Sequence, residues 1–180
     1  MKNEFEPLVS IIILNYNAGN LLSECIESVL KTDYEKFEII IVDNDSKDDS
    51  IDRCKEKFRD VQIIENKKNL GYCEGNNVGI RNAKGEFIAI LNPDTVVDSN
   101  WLKELIKGYE IFGGGMYQPR FLTTNNHKIL QGTGNMINLF GFGFARNKGD
   151  LDEGQFNEPE RIGYASGTCL FTSKKIIEEL

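Results

Sequence analysis

Apolar runs and helical stripes alternate along the first 110 residues of the chain. Four short runs rich in β-branched residues predict buried strands, at 9–14, 38–42, 61–64 and 86–91. Apolar residues then recur at helical spacing and predict one helix after each strand, over 20–31, 51–58, 74–83 and 101–109. Asn20 and Ser99 are expected to cap the first and fourth helices. This alternation indicates an α/β fold, with a mostly parallel sheet covered by helices on both faces.

The pattern changes after Phe112, where helical periodicity ends. Eleven of the seventeen glycines lie from Gly113 onward. Three further strands are predicted, at 115–122, 128–133 and 163–171, with an acidic loop over 149–160. We expect them to extend the first sheet into a mixed one, so that residues 1–180 form one domain. Ser173 is expected to cap a last helix that is still running at Leu180, which predicts a domain truncated at its C-terminus.

Composition and charge restrict the class of partner. Hydrophobic residues make up 40% of the chain, charged residues make up 27%, and the net charge is −7. A nucleic-acid partner is therefore not expected, because it would need a basic face. A nucleotide ligand is compatible with this charge, since backbone N–H groups or one metal ion can hold a diphosphate on an acidic protein. The sequence shows no secretory signal and no apolar stretch of about 20 residues, so we predict a cytoplasmic protein. A membrane-bound substrate stays compatible with this prediction.

Cysteine and histidine usage argues against several kinds of site. Cys25, Cys54, Cys73 and Cys169 form no C-x-x-C pair, and we expect small core residues in a reducing compartment, not zinc ligands or disulfides. The one histidine, His127, lies in a predicted turn and is expected to be exposed and without function. A Ser-His-Asp hydrolase is therefore not expected.

The residues that follow each predicted strand are the first candidates for a site, because ligands of such sheets bind at the carboxyl ends of the strands. The first strand is followed by Asn15, Tyr16 and Asn17, and not by the G-x-G-x-x-G of dinucleotide-binding proteins. No G-x-x-x-x-G-K-[ST] sequence is present either, which excludes a P-loop. The Tyr16 ring can stack on a nucleotide base or pack over the first helix, and the sequence leaves both open.

The later strand ends offer two carboxylates and a glycine-rich turn. Asp43 directly ends the second strand, where it can accept the N3–H of uracil or thymine. Gly71, Gly75 and Gly79 follow the third strand at four-residue spacing, which suits either close helix packing or close approach of a ligand to the backbone. Asp94 follows the fourth strand beside turn-forming Asn and Pro, so it is either a turn residue or a functional acid held at a rigid strand end.

Taken in order along the chain, these pieces resemble the family 2 glycosyltransferases of the GT-A fold. The resemblance covers nearly the whole chain, and the sequences of the matching pieces are most similar to those of a rhamnosyltransferase-like branch. The matching pieces are VSIIILNYN, EIIIVDNDS, NLGYCEGNNVGI, AKGEFIAILNPDT and YASGTCLF.

The resemblance implies a site for a nucleotide-diphosphate sugar. It places Tyr16 against the base, Asp43 on the ring N–H, and Asp94 on a divalent cation, Mg²⁺ or Mn²⁺. Asp94 matches the last acid of the family's D-x-D motif, whereas Asn92 stands in place of the first acid and can bond the ribose. The residues implied in nucleotide binding are Asn15, Tyr16, Asn17, Asp43, Asp45, Gly71, Asn76, Asn77 and Asn92.

The resemblance also implies the reaction. Residues 1–111 would bind a dTDP- or UDP-sugar, rhamnose being one candidate, and residues 112–180 would begin the acceptor side. The protein would transfer the sugar, with inversion, to a saccharide or polyprenyl-linked acceptor in cell-surface polysaccharide synthesis. It would be associated peripherally with the inner face of the membrane. The general base of the family lies beyond the strand that YASGTCLF matches, so we expect it after residue 180 and expect little transfer by this chain alone.

Two other classes of protein stay open. A non-catalytic nucleotide-sugar-binding module would share the same strand ends, and would differ by lacking the acidic motif expected after residue 180. A doubly wound nucleotidyltransferase would also bind a nucleotide and a metal here. It would need a glycine-rich basic loop after the first strand, and this sequence has none.

Overall fold

A five-stranded sheet forms the centre of the part of the chain that the structure, a computed structural model, describes, which is residues 5–179. The strands follow the order β3-β2-β1-β4-β9, with the first four parallel and β9 antiparallel to β4. These five strands are β1 (Val9–Asn15), β2 (Phe37–Asp43), β3 (Gln62–Glu65), β4 (Phe87–Leu91) and β9 (Cys169–Ser173). The helices are α1 (Asn20–Val29), α2 (Ser50–Lys57), α3 (Gly71–Asn82), α4 (Trp101–Phe112) and α5 (Lys174–Glu178).

The core lies in two layers, one on each face of the sheet. Val9, Ile11 and Ile13 of β1 are buried against α1, α2 and α4, whereas Ile12 is buried on the face that α3 covers. This alternation follows from the period of two in a strand. The prediction of a mostly parallel sheet with helices on both faces is thereby confirmed.

Two of the three spaced glycines let α3 lie directly on the sheet. A Cβ atom built on Gly79 would come within 2.5 Å of Ile12 Cγ2, and one on Gly75 would come within 2.5 Å of Leu14 Cδ1. Both positions therefore serve close helix packing. Gly71 differs, because its φ of +78° is one that L side chains rarely adopt and a Cβ there would meet nothing within 4 Å.

We expect Gly79→Ala to lower the free energy of unfolding by about 1–2 kcal/mol, because overpacking a filled core costs roughly 1–3 kcal/mol and exceeds the gain in helix propensity. Asn82→Ala, at an exposed position of the same helix, is the control and should not destabilise the protein. Urea unfolding of both variants measures the difference. An unfolding free energy that rises in Gly79→Ala would show that α3 is not held this closely.

Several helix limits differ from the predicted ones. The N-cap positions are Gly19 and Asn100, not Asn20 and Ser99, and α1 ends at Val29 instead of residue 31. The third helix begins at Gly71, three residues before its predicted start. Ser173 does precede α5, but neither it nor the other cap residues make a side-chain capping hydrogen bond. Leu180, the predicted end of the stripe on α5, lies outside the described residues.

The second half forms less sheet than the sequence predicted. Only β9 joins the central sheet, within the predicted 163–171 strand and two residues past it. Of 115–122 only β5 (Phe121–Leu122) is a strand, and it pairs with β6 (Leu130–Gly132) as a separate ribbon. A second ribbon, not predicted, joins β7 (Asn135–Ile137) to β8 (Gly143–Ala145). The expected extension of the sheet is therefore limited to β9 and to Tyr117, which pairs with Phe171 of β9 through two backbone hydrogen bonds of 2.8 Å.

Three of the four cysteines are core residues, as predicted, but Cys73 is exposed on α3. All four are free thiols. Burial raises the pKa of Cys25 and Cys169 to about 12 and that of Cys54 to about 11, so their reactive thiolate forms are suppressed.

We therefore expect iodoacetamide at pH 8 to label the native protein once, at Cys73, and the urea-unfolded protein four times. Intact mass spectrometry counts the labels, and Cys73→Ser is expected to remain unlabelled while folded. Rapid native labelling of Cys25 would contradict the described packing of α1.

Candidate active site

The carboxyl ends of three parallel strands place the predicted residues at one edge of the sheet. Asn15 of β1 is the register partner of Asp43 of β2, and Ile13 is the partner of Leu91 of β4. The Asn44 N–H donates to the Asn15 carbonyl at 2.9 Å, which continues this register one residue past β2. The residues after β1, β2 and β4 therefore begin at neighbouring points of the same edge, as a parallel sheet requires.

A buried polar network fixes the orientation of Asp43. Asn15 Nδ2 donates to Asp43 Oδ1 at 2.7 Å, and the Ser46 hydroxyl donates to the same oxygen at 2.6 Å. Asp43 Oδ2 accepts from the Ser46 N–H at 3.0 Å. Because each carboxylate oxygen has two lone pairs, Oδ2 keeps capacity for one further donor such as a ring N–H.

The loops after β1 and β2 are fastened to each other. The Asn17 N–H donates to Ser46 Oγ at 2.9 Å, and the Lys47 N–H donates to Asn17 Oδ1 at 2.7 Å. Asn17 and Asp45 both have positive φ, 55° and 66°, in the left-handed region where non-glycine residues are uncommon. Asp45 forms an ion pair with Lys47, while Tyr16 stays about half exposed at the end of β1. The structure thus leaves the Tyr16 ring exposed beside two loops that hydrogen bonds fasten together.

Asn44 is a site-forming residue that sequence reasoning missed. It is buried, its Nδ2 donates to the Gly71 carbonyl at 3.0 Å, and its Oδ1 accepts from Asn66 Nδ2 at 2.9 Å. These contacts tie the end of β2 to the start of α3. The sequence signal that could have found Asn44 is an amide directly after Asp43, at the end of a buried strand.

The two predicted amides of α3 have different surroundings. Asn76 is buried and its Nδ2 donates to the Tyr72 carbonyl at 2.9 Å, whereas Asn77 is exposed and reaches Glu74. Among residues 5–179, the Oδ1 atoms of Asn76 and of Asn15 are buried without a hydrogen-bond partner. An unsatisfied buried oxygen costs about 1–3 kcal/mol, so a water molecule or a ligand donor at either atom would be favourable.

The residues after β4 form a turn and also present a carboxylate. The Thr95 N–H donates to the Asn92 carbonyl at 3.2 Å, and the Asn92 N–H donates to the Thr168 carbonyl at 3.0 Å. Asp94 lies inside this turn and is exposed. The turn interpretation of Asp94 is therefore correct, and it leaves the functional interpretation open. The Tyr72 hydroxyl of α3 donates to the Gly167 carbonyl at 2.6 Å, which connects α3 to the segment before β9.

The acids at this edge of the sheet determine how a divalent cation could be held. Within the described residues, no group of three or more His, Cys, Asp or Glu side chains is placed to hold a metal ion. Asp94 is a single exposed carboxylate at the strand end. Mg²⁺ is commonly bound by one or two carboxylates together with substrate phosphates. The residues therefore fit a cation that arrives with a diphosphate, and do not fit a metal held by the protein alone.

The mostly parallel sheet with helices on both faces is a GT-A-like fold. The structure is similar to that of a mannosyltransferase from Pyrobaculum calidifontis, solved with GDP-Man and Mn²⁺, with a TM-score of 0.68 and 18% identity over 98% of this chain and 47% of that one. The model of glycosyl transferase family 2 matches residues 10–180. The chain belongs to this family.

Relatives of known sequence agree with this assignment. The glycosyltransferase GlyG of Streptococcus pneumoniae is 36% identical over 101 residues, which are 54% of this chain and 34% of GlyG. The Escherichia coli protein WfgD, a UDP-Glc:alpha-D-GlcNAc-diphosphoundecaprenol beta-1,3-glucosyltransferase, is 29% identical over 170 residues, 78% of this chain and 66% of WfgD. The chain thus spans between a third and two thirds of these relatives. The proposed rhamnosyltransferase-like branch stays a prediction.

Proposed function

We propose that the chain binds a dTDP- or UDP-sugar at the carboxyl edge of its sheet, and that the protein transfers the sugar to a saccharide or lipid-linked acceptor with inversion. The observation that carries the proposal is the register of Asn15 with Asp43, next to the strand end that presents Asp94. The rhamnose donor, the role in cell-surface polysaccharide synthesis and the location at the cytoplasmic membrane face belong to the same proposal.

Each residue has one task in this proposal. The exposed Tyr16 ring lies against the base, and Asp43 Oδ2 accepts the ring N3–H of uracil or thymine. Asn92 bonds the ribose, while the loops around Asn17 and Asp45 hold the ring and the carboxylate in place. The remaining proposed contacts to the donor come from α3, at Gly71, Asn76 and Asn77.

Asp94 would hold a divalent cation on the diphosphate. When bound, Mg²⁺ or Mn²⁺ neutralises the charge that grows on the diphosphate as the sugar departs. The proposed transfer is a direct displacement, in which the acceptor oxygen bonds to the anomeric carbon, the carbon–diphosphate bond breaks on the opposite side, and a base takes the hydroxyl proton. We assign no such base among residues 5–179, because the acids of the 149–160 segment are not at the strand ends.

Related proteins support the chemistry without fixing it for this chain. WfgD uses UDP-Glc and a diphosphoundecaprenol acceptor, as its name states. The Staphylococcus aureus protein TarS has been solved with UDP-GlcNAc, and GalNAc-T7 has been solved with UDP, GalNAc and Mn²⁺. These ligands motivate a search among uridine and thymidine donors, with guanosine donors included because of the mannosyltransferase.

Thermal unfolding with UDP-, dTDP- and GDP-sugars, each with and without Mn²⁺, tests donor binding. A donor at 100 times its Kd should raise Tm by about 5–10 °C for a chain of this size. A radiolabelled-sugar assay with free and polyprenyl-linked saccharides then tests transfer. Binding with transfer supports the proposal, and binding without transfer supports the non-catalytic module. Absence of any shift with all donors would contradict both.

A further inference from the structure

Tyr72, in the first turn of α3, reaches a segment that belongs to another part of the sheet. Its hydroxyl donates to the Gly167 carbonyl at 2.6 Å, just before β9 begins. The helix packs on β1 and β2, and β4 lies between these two strands and β9 in the sheet order. The bond therefore joins two elements that lie on either side of the strand end that presents Asp94.

The glycine at position 167 is explained by the closeness of this contact. A Cβ atom built there would lie 2.7 Å from the Tyr72 hydroxyl oxygen and 3.2 Å from Cζ of the same ring. The φ of Gly167 is outside the left-handed region, so the backbone conformation does not require glycine. The Tyr72 ring thus lies directly on the backbone of residue 167, while Tyr72 as a whole stays 46% exposed. Its main contribution is this contact and not burial in the core.

Two further hydrogen bonds hold the segment formed by residues 166–168. The Ser166 N–H donates to Gln118 Oε1 at 2.7 Å, and the Thr168 carbonyl accepts from the Asn92 N–H at 3.0 Å. The hydroxyl oxygens of Ser166 and Thr168 are 3.2 Å apart, and both residues are half-buried. Two hydroxyl groups thus lie beside the turn that follows β4, and each can donate to or accept from the hydroxyls of a sugar.

The order of the strands gives the place of the sugar in the proposed donor complex. The base contacts are proposed at the ends of β1 and β2, from Tyr16 and Asp43, and the diphosphate contact at the end of β4, from Asp94. The next strand in the sheet is β9. A sugar joined to the far phosphate of the diphosphate would therefore meet the residues that precede β9. This step rests on the proposed function.

We propose that Tyr72 is a positioning residue for a sugar subsite formed by residues 166–168. Its hydroxyl holds the backbone of Gly167, and it thereby fixes the hydroxyls of Ser166 and Thr168 before the donor binds. A segment that is ordered in advance loses less free energy on binding than one that the ligand must order. Loss of the Tyr72 hydroxyl should therefore weaken binding of the sugar part and leave binding of the nucleoside diphosphate unchanged.

Titration calorimetry in Mn²⁺ tests this difference with UDP against UDP-glucose and with dTDP against dTDP-glucose. For Tyr72→Phe we expect the affinity for the nucleotide sugar to fall about three- to tenfold, the range of one neutral hydrogen bond, while the affinity for the diphosphate stays within about twofold. Gly167→Ala should give the same result, because its methyl group displaces the ring. The two substitutions together should cost no more than one, since they remove the same contact.

Tyr34→Phe is the matched control. The Tyr34 hydroxyl donates to the Pro7 carbonyl at 2.5 Å, just before β1 begins and thus at the opposite end of the strand from the site. This variant loses the same kind of bond and should keep the ratio of the two affinities. Hydrogen exchange without ligand gives a second comparison. The backbone of residues 164–168 should exchange about three- to tenfold faster in Tyr72→Phe and at the unchanged rate in Tyr34→Phe.

The outcomes separate this inference from the proposed function. If Tyr72→Phe keeps the ratio of sugar to diphosphate affinity, the proposal is overturned even where exchange is faster, because the bond is then only structural. Equal losses for the diphosphate and for the nucleotide sugar would overturn it as well. An unchanged chain that binds none of the four compounds is a different result, which contradicts the proposed function and the subsite together.

Discussion

Replacing Asp94 by Asn is expected to weaken Mn²⁺-dependent binding of the nucleotide sugar by about 30-fold or more, while the protein stays folded. The magnitude is that of one charge-assisted contact, roughly 2 kcal/mol. The fold should tolerate the change because Asp94 is exposed in a turn whose hydrogen bond joins the backbones of Asn92 and Thr95. Titration calorimetry with UDP- and dTDP-sugars, in Mn²⁺ and in EDTA, measures the effect.

The control for Asp94 is Asp98→Asn. Asp98 is also exposed and follows β4, but its carboxylate accepts the Asn100 N–H at the start of α4. It should leave donor affinity unchanged in both media. If Asp94→Asn also binds the donor with unchanged affinity in Mn²⁺, then Asp94 does not hold the cation. A loss of equal size in EDTA would place Asp94 on the sugar or nucleotide instead.

Asp43→Ala should remove the preference for uridine and thymidine diphosphates over guanosine and adenosine diphosphates. It should also lower the free energy of unfolding by about 2–4 kcal/mol. The carboxylate accepts three hydrogen bonds, each worth roughly 1.5–3 kcal/mol to a charged group, but its removal also relieves the cost of burying that charge, which offsets part of the loss. Competition among the four diphosphates, measured well below the melting temperature, separates the base preference from the loss of stability.

Asp48→Ala is the matched control for Asp43. Its carboxylate also accepts three hydrogen bonds, from the Gly19 N–H and from the Ser50 N–H and hydroxyl. Burial opposes ionisation of Asp48, but these bonds outweigh it and hold the pKa below its usual value. The control should lose stability and keep the base preference. If both variants discriminate among bases as the unchanged chain does, Asp43 is not part of the base pocket.

The first half of the fold could be predicted from the sequence because its strands are buried on both faces and its helices have one apolar stripe. The same reasoning failed at the start of α3, where the helix was expected from residue 74 and begins at Gly71. For Gly75, which lies inside the predicted helix, the sequence left close packing and approach of a ligand both open, and the structure shows close packing against Leu14. After Gly113 the chain has no sustained hydrophobic periodicity. Short ribbons such as β7–β8 therefore depend on tertiary contacts that residue propensities do not predict.

The candidate site, like the fold, could be predicted from the sequence only in part. The sequence could indicate which side chains meet, because the carboxyl ends of parallel strands share an edge. It could not predict their partners. That Asp43 is held by Asn15 and Ser46, or that Asn44 fastens α3, depends on loop conformations with positive φ at non-glycine residues. Those conformations are set by packing between loops that are far apart in sequence.

The late position of β9 in the chain has a consequence for synthesis. On the ribosome, β1 to β4 are complete well before Cys169 emerges, and β4 is then an edge strand with the apolar sequence FIAIL. At about 5–20 residues per second, the segment 92–168 takes roughly 4–15 seconds to appear. During that interval the open edge of β4 can pair with another nascent chain. When β9 emerges it covers this edge and becomes the last strand of the sheet, where Tyr117 pairs with Phe171 on its outer side.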